Sequence, residues 1–368
     1  MLRLTLLILG SCIFSEVALA SATTPSFSSL PSIRKYYGVP GLGAAILKGT
    51  GEDRLSYVEV TGKRKSLARP DLQPEDAFHL GSCTKPMTAF LVAMAVNEGR
   101  VRYSSTLKEL LPDQEIHPSF AGATVEHFLV HSSGLGDESV FREIPNAALV
   151  EQIFSDQLDE REARKLLVGE ILKLPPKTFP GLKTEYSNPG YMVLGHLLER
   201  IYDRSFQDLI SEKIFKQLQM GSCGFGIPPK VSGHEFRGNG YGPVDEDNPK
   251  VYGPAGRVHC NLRDWTRFAG LVLALVLERS LLLRPEISRG LIRAVNPEGF
   301  TAGGWITQGT GESRVIFFEG SNTLNRAMIL IHPELSLVAA ASSNAGGDQA
   351  REATLEALKF AVSLGQKK

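Results

Sequence analysis

Strand patterns lie at the two ends of this 368-residue chain, and helical patterns fill its middle. Near the start, an apolar run at 44–47 and a strand-like run at 55–60 predict two antiparallel strands joined by a Gly-Thr-Gly hairpin. Three more strand patterns follow in the last third, at 314–318, 326–331 and 335–341. The sequence therefore predicts an α+β fold, with one antiparallel sheet built from both chain ends and flanked by helices. An all-helical lobe, at about residues 100–260, is inserted between them.

The spacing of apolar residues predicts a series of helices in the middle of the chain and after it. Helices are predicted at 124–131, 147–158, 162–174, 191–202 and 206–218, and further on at 262–278 and 349–364. Residues 226–254 are dense in glycine and proline, so we expect a long irregular loop there. Loops of that length are usually functional or disordered.

Residues 82–97 predict a helix with almost no polar side. Met87, Phe90, Leu91 and Met94 recur at helix spacing, and small apolar residues cover the other faces. Such a helix is buried on all sides, so the residues at its start are held by the core of the molecule.

The first residues are typical of a targeting segment. Residues 1–22 predict a signal peptide, because Arg3 precedes an apolar run at 4–14 and small residues suited to cleavage follow. We therefore expect one exported domain at 23–368, periplasmic or extracellular. Lipid attachment at Cys12 ranks second, because the apolar region ahead of it is very short. No later run reaches the roughly 20 apolar residues that a membrane span needs.

The charge balance limits the class of partner. Lysine plus arginine number 40 and aspartate plus glutamate number 40, so no overall field favours nucleic acid or an anionic membrane surface. A small molecule fits better. The oligomeric state stays open.

Cysteines are few in the expected mature chain. Cys83, Cys223 and Cys260 are an odd number at wide spacing, which is not a disulfide framework. One bridge among them is allowed, but small buried thiols are favoured.

The buried helix begins with a Ser-x-x-Lys pattern, Ser82 to Lys85. This spacing puts both side chains on one helix face, and the electropositive helix start favours an alkoxide at the serine and an uncharged lysine. The spacing alone is weak, because Ser32 and Lys35 share it, and a helix cap would explain Ser82 equally well. The buried helix behind Ser82, and a second motif, favour chemistry.

The second motif is Tyr-Ser-Asn at 186–188. Asn188 reads as a helix N-cap with Pro189 at the first helical position. Tyr186 caps nothing, so its phenol is free to relay a proton between Ser82, Lys85 and a leaving group.

With these motifs the chain resembles the penicillin-recognising serine hydrolases, the group of class C beta-lactamases, D-Ala-D-Ala carboxypeptidases and related esterases. The resemblance covers nearly all of the mature chain and implies an antiparallel sheet plus an all-helical lobe, with the active site between them. It rests on motifs in the expected order, at 39–41, 81–85, 128–135, 186–188 and 254–260.

The resemblance implies a role for each motif residue. Ser82 would be acylated, Lys85 and Tyr186 would handle its proton, and Asn188 would hold the substrate amide. The backbone amides of Ser82 and Ser321 would stabilise the tetrahedral intermediate.

One family motif differs here. Where the family has a lysine or histidine, a small residue and glycine, this chain has Phe318, Glu319 and Gly320. The glycine would still let substrate lie along the strand edge. The missing cation, which would bind a substrate carboxylate, favours an uncharged ester or amide; Arg314, Arg326 or an arginine of the long loop are the alternatives.

Other kinds of site find less support. His127 and His131 are four residues apart on a predicted helix, but Phe128 stands where a metalloprotease needs glutamate. No Gly-x-Ser-x-Gly elbow occurs. We therefore expect neither a metal nor a cofactor.

The sequence thus predicts a serine hydrolase or acyl transferase acting through a Ser82 acyl-enzyme. Its substrate would be a small ester or amide, a beta-lactam, or a cell-wall-type peptide with D-amino acids. The alternative from another class is a catalytically silent scaffold that binds a peptide or glycan.

Overall fold

The computed structural model describes residues 27–50, 54–66 and 70–367. The predicted signal peptide and Cys12 lie outside these residues. Across the described part of the chain, no helix combines the length and apolar character that crossing a bilayer requires.

The structure contains short and long strands in both halves of the chain. In chain order they are β1 Gly41–Lys48, β2 Leu55–Gly62, β3 Phe78–His79, β4 Gly224–Phe225, β5 Gly233–Phe236, β6 Tyr241–Val244, β7 Val258–Cys260, β8 Ile306–Gln308, β9 Val315–Ser321, β10 Arg326–His332 and β11 Leu337–Ser343.

Helices account for most of the rest. In chain order they are α1 Leu30–Tyr37, α2 Lys85–Asn97, α3 Leu107–Leu110, α4 Val125–Leu129, α5 Ala147–Phe154, α6 Glu160–Ile171, α7 Asn188–Tyr202, α8 Phe206–Ile210, α9 Gly253–Gly256, α10 Leu262–Val276, α11 Pro285–Gly290 and α12 Gly347–Lys367. Single 3₁₀ turns at Gly81–Thr84 and Glu138–Glu143 matter for the site.

The main sheet has the strand order β2-β1-β11-β10-β9-β8, with every neighbour antiparallel. Its central strand comes from the C-terminal end of the chain, between a strand from the start and one from the last third. Alternate residues face opposite sides of a strand. Ala44 and Ile46 thus belong to the cluster with α1 and α12, whereas Ala45 and Leu47 belong to the cluster with α10. The predicted α+β fold with a sheet from both chain ends is confirmed.

Helix α2 lies in the core, as its sequence predicts. Every residue from Lys85 to Ala93 is buried. Phe90 packs edge-to-face against Phe268 of α10, so the helix is held between the sheet side and the lobe.

The lobe from α3 to α9 is mainly helical and is fastened by an ion pair. Arg164 of α6 and Glu199 of α7 are both fully buried, 2.6 Å apart, and Glu199 also accepts the backbone N–H of Phe206. Because each charge has its partner, the pair fixes how α6, α7 and α8 meet.

The expectation of an irregular loop at 226–254 is wrong in part. This segment contains the β5–β6 hairpin, in which His234 pairs with Pro243. Proline is tolerated in the hairpin because β6 is an edge strand that needs few N–H donors. Its glycine and proline content concealed the strands.

The expectation of unpaired cysteines is wrong for two of the three. Cys223 and Cys260 form a disulfide, which links the segment before β4 to β7. Cys83 is free and buried, as expected. The strands β3, β7 and β4 form a small sheet beside the start of α2.

Candidate active site

Ser82 lies in the 3₁₀ turn that leads into α2. Gly81 has a φ of +53°, and a Cβ there would meet the Ser321 backbone at 2.5 Å, so the turn requires glycine. The Gly81 N–H donates to Nδ1 of His79 at 3.0 Å, and the Leu80 N–H donates to the Val258 carbonyl at 2.9 Å. The serine is therefore presented by a turn fixed on several sides.

Lys85 is fully buried, and its ammonium has three oxygen partners. Nζ donates to Ser82 Oγ at 3.2 Å, to Asn188 Oδ1 at 2.5 Å and to the Ala255 carbonyl at 2.7 Å. Burial lowers the pKa of Lys85 to about 7, although the nearby Glu138 acts to raise it. Near neutral pH this lysine therefore populates both its charged and its neutral form.

Tyr186 completes a group of three around the serine oxygen. Its hydroxyl lies near enough to the Ser82 side chain to act on the phenol pKa, and its ring centre lies 4.7 Å from Lys85 Nζ. The ring also packs on His131, whose Nδ1 accepts the Ser187 N–H at 3.0 Å. Burial raises the pKa of Tyr186 well above its usual value, so the phenol keeps its proton at neutral pH.

Asn188 has a different local role from the predicted one. Ser187 caps α7, because its Oγ accepts the Gly190 N–H at 3.0 Å, and Asn188 is the first helical residue. The Asn188 side chain instead joins two groups: its oxygen accepts from Lys85 and its nitrogen donates to Glu138. Its role toward substrate stays a prediction.

Gly320 and Ser321 lie against the serine turn. A Cβ at Gly320 would meet the Leu80 carbonyl at 2.2 Å and the Cys83 nitrogen at 2.7 Å. This close approach of two backbones is sufficient reason for the glycine. Ser321 Oγ donates to the Asn325 carbonyl at 2.8 Å, and this hydrogen bond spans the turn between β9 and β10.

The two residues before Gly320 face opposite sides of the sheet. Phe318 is 3% exposed and belongs to the same cluster as α2. Glu319 faces α12, where Arg351 Nε lies 2.8 Å and Arg326 Nη1 lies 3.4 Å from its Oε1. Arg326 is thus paired and buried, which argues against it as the substitute cation.

Arg314, another of the alternative cations, lies immediately before β9 and is partly buried. The arginine of the 226–254 segment, Arg237, is exposed beside Glu235 at the hairpin. His127 Nδ1 accepts the Thr124 N–H at 3.2 Å, so its ring serves a helix start. Within the described ranges, no three histidine, cysteine or acidic side chains are grouped so as to hold a metal ion.

Sequence reasoning missed two acidic residues at the site. Glu138 contacts Asn188 from a 3₁₀ turn that has no motif of its own. Asp247 lies in the glycine- and proline-rich segment, with Oδ1 2.9 Å from His79 Nε2 and Oδ2 3.0 Å from Arg257 Nε. In the sequence, Glu138 and Asp247 are marked only by their negative charge, and both lie in long segments to which no function was assigned.

Comparison with known sequences identifies relatives. The family model for Beta-lactamase matches residues 31–363. The Unguisins hydrolase ungD' of Aspergillus campestris is 23% identical over 64% of this chain and 44% of that protein. The D-alanyl-D-alanine-carboxypeptidase/endopeptidase AmpH of Escherichia coli K12 is 25% identical over 50% of this chain and 46% of that protein. The chain thus matches less than half the length of either relative.

Solved structures show the same fold. The octameric penicillin-binding protein homologue from Pyrococcus abyssi superposes with a TM-score of 0.72 at 21% identity, over 92% of this chain and 76% of that one. The D-amino acid amidase from Ochrobactrum anthropi also gives a TM-score of 0.72, at 19% identity, over 92% and 98% of the chains. With a family model that spans most of its length and a fold that agrees, this chain belongs to the beta-lactamase family.

Proposed function

We propose that the protein is a serine hydrolase that cleaves a small ester or amide through an acyl-enzyme at Ser82. The observation that carries the proposal is the meeting of Ser82, Lys85 and Tyr186, with a lysine whose pKa is lowered to about 7. A nucleophile beside a base of matched pKa is the arrangement that acyl transfer requires.

Lys85 is the base in this proposal. Its neutral Nζ accepts the Ser82 proton while Oγ forms a bond to the substrate carbonyl carbon, and the carbonyl π electrons move to the oxygen. Tyr186 does not compete for this proton, because its raised pKa keeps the phenol protonated. The backbone amides of Ser82 and Ser321 would receive the oxyanion.

Tyr186 carries the proton onward. As the tetrahedral intermediate collapses, the bond to the leaving group breaks, and the phenol donates its proton to that group while Lys85 replenishes it. Water then attacks the acyl carbonyl, its proton passes back to Lys85, and Ser82 leaves with a proton. The net reaction is hydrolysis, with all groups returned to their starting state.

The strand beside the serine favours substrates without a carboxylate on the leaving side. Phe318 is apolar and buried, and Arg326 is held by Glu319. Among the relatives, the names D-amino acid amidase and D-alanyl-D-alanine-carboxypeptidase describe amide cleavage, so amides belong in the first screen beside esters.

The test uses protein without residues 1–22, incubated with p-nitrophenyl acetate, p-nitrophenyl butyrate and a fluorescent penicillin. We expect ester turnover that Ser82→Ala abolishes. Ser32→Ala is the matched control, since Ser32 has the same spacing to a lysine but its hydroxyl donates to the carbonyl of Ser29, the residue before α1. Penicillin labelling without ester turnover would favour a beta-lactam or peptidase function, and neither signal would favour a silent binding scaffold.

We also propose that the protein is exported. Support comes from the Cys223–Cys260 disulfide, because such bonds persist mainly in oxidising compartments. Cell fractionation and sequencing of the N-terminus test this, and an uncleaved protein in the reducing cytosol would contradict it.

A further inference from the structure

Asp247 places a buried carboxylate between the two chain segments that meet at the serine turn. It lies in the loop after β6, and its side chain is only 4% exposed. Oδ2 accepts from Arg257 Nε at 3.0 Å, whereas Oδ1 lies 2.9 Å from His79 Nε2 and accepts from Asn322 Nδ2 at 3.4 Å. Its contacts thus reach the strand before the serine and the turn after β9.

The link through His79 reaches the turn that carries Ser82. Nδ1 of His79 accepts the Gly81 N–H at 3.0 Å, so this nitrogen carries no proton. The ring proton is therefore on Nε2, which faces Asp247 Oδ1. The imidazole is held at both nitrogens, and it orients the peptide next to the Ser82 amide.

The link through Asn322 reaches the segment that carries the Ser321 amide. Asn322 directly follows Ser321 and is 6% exposed. Its oxygen accepts from the Leu324 N–H at 3.3 Å and from Asn325 Nδ2 at 3.0 Å, while its nitrogen donates to Asp247. The side chain therefore holds the turn after β9 together and ties it to the carboxylate.

The two segments also approach each other directly. A Cβ at Gly81 would meet the Ser321 nitrogen at 2.5 Å, so their backbones are in close contact. An oxyanion hole needs donors that are held in place before the charge develops. One carboxylate connected with both segments is suited to hold their amides at a fixed separation.

We propose that Asp247 is a positioning residue for catalysis, which holds, through His79 and Asn322, the two segments whose amides receive the oxyanion. The inference rests on the proposed function at Ser82. Asp247 acts through its neighbours and takes no part in the making or breaking of bonds. Asparagine has nearly the same volume but only one acceptor oxygen, so Asp247→Asn can serve either Arg257 or the donors at Oδ1, but not both.

The test measures hydrolysis of p-nitrophenyl acetate and inhibition by phenylboronic acid, in protein without residues 1–22. When Ser82 Oγ bonds to boron, the adduct is tetrahedral and a boron-bound oxygen occupies the oxyanion position. Asp247→Asn should lower kcat by about 10- to 100-fold, with KM within about threefold of wild type, because acylation and deacylation use the same amides. The inhibition constant should rise by a similar factor. This constant does not change when part of a sample is inactive, so a purely structural role would leave it unchanged.

Asp245→Asn is the matched control, since Asp245 lies in the same loop, is half exposed and pairs with Lys65 at the surface. It should leave the ester kinetics and the inhibition constant unchanged. Lower activity of Asp247→Asn with an unchanged inhibition constant would overturn the inference. A change confined to KM, or no change at all, would overturn it too.

Asn322→Ala breaks one of the two links without unpairing a charge, and it decides the question if Asp247→Asn does not fold. It should lower kcat and raise the inhibition constant by at least about threefold, and unchanged values would overturn the inference. Ser82-dependent ester turnover by the wild-type protein would in each of these cases leave the proposed function intact. Wild-type protein without Ser82-dependent turnover would overturn both.

Discussion

In the proposed mechanism, Lys85 decides whether Ser82 can lose its proton, and burial sets the protonation state of Lys85. The folded protein lowers the pKa of Lys85 from 10.5 to about 7, so the neutral base is present above that pH and is lost as the pH falls through it. We therefore expect kcat/KM for an uncharged ester to rise with pH around an apparent pKa near 7. Stopped-time assays from pH 5.5 to 8.5 measure this profile.

Lys85→Arg provides the comparison for that profile. Arginine keeps the charge but cannot lose its proton in this range, so activity should fall by about 10²- to 10⁴-fold at all pH values. If kcat/KM of the wild-type protein does not change through pH 7, a base other than Lys85 accepts the Ser82 proton.

The Tyr186 hydroxyl can be separated from its ring. In Tyr186→Phe the ring contacts with His131, 4.5 Å between ring centres, and with Lys85 are retained, while the hydroxyl near Ser82 is removed. We expect kcat to fall by about 100-fold with little change in melting temperature. Steady-state kinetics with leaving groups of different basicity measure this. A loss confined to KM would indicate that the phenol only binds substrate.

The sequence predicted that Ser82, Lys85 and Tyr186 lie together, but not what surrounds them. Ser82 and Lys85 could be found because helix geometry relates residues three apart, and Tyr186 because no local structure explains it. Glu138 could not be found, because its approach to Asn188 depends on how two distant segments pack. The sequence also assigned the N-cap of α7 to Asn188, whereas Ser187 is the N-cap in the structure. Serine and asparagine are both good N-caps, so the residue types alone could not distinguish them.

At the scale of elements, Asp247 connects the strand before the serine with the turn after β9. Its Oδ1 lies 2.9 Å from His79 Nε2 and accepts from Asn322 Nδ2 at 3.4 Å. Burial raises the pKa of Asp247, but His79 and Arg257 outweigh it, and the net shift is downward. Asp247→Ala leaves the guanidinium of Arg257, whose side chain is only 11% exposed, without this partner, so we expect about 3–5 kcal/mol lower stability to unfolding by urea.

Asp245→Ala is the control for this loss. Asp245 is half exposed, and its contact with Lys65 is an exposed ion pair 3.3 Å long, so its removal should change stability by less than about 1 kcal/mol. Similar losses in the two variants would show that Asp247 has no special part in joining the elements.

The disulfide joins elements that sequence spacing could not pair. Cys223 and Cys260 are 37 residues apart, and closing a loop of that length restricts the unfolded chain by about 3–4 kcal/mol. We expect Cys223→Ser/Cys260→Ser to be destabilised by that amount in urea. Thiol titration of residues 23–368, denatured without reductant, should find one reactive thiol, Cys83. Three thiols would contradict the pairing.

Elements were predicted best where a single pattern dominated. Helix α2 and strands β9 to β11 follow apolar runs, and the structure places them within a few residues of the prediction. The β5–β6 hairpin was missed because glycine and proline normally mark loops, whereas here the hairpin is held by contacts from elsewhere: His234 Nε2 accepts the Ser66 N–H at 2.9 Å. Such support is invisible in a local sequence window.

At the scale of the whole molecule, the site depends on parts that are far apart in the chain. Ser82 comes from the start of α2, Tyr186 from the lobe, and Gly320 from the sheet. The sheet is continuous only when β11 is present, because β11 lies between β1 and β10. The chain must therefore be complete through α12 before the wall beside Ser82 has its support.

Removing β11 and α12 by ending the chain at Pro333 tests this dependence. The deletion would split the sheet into β2-β1 and β10-β9-β8, with the inner edges of β1 and β10 unpaired, and would uncover the face on which Ala44, Ile46 and Met328 pack. Unpaired edges and an uncovered apolar face promote aggregation. We expect no cooperative thermal transition in circular dichroism and no ester turnover.

Deleting only residues 366–368, where Gln366 and Lys367 are exposed, should leave the thermal transition and the ester turnover unchanged. A soluble truncated chain with cooperative unfolding would show that the sheet does not need its last strand.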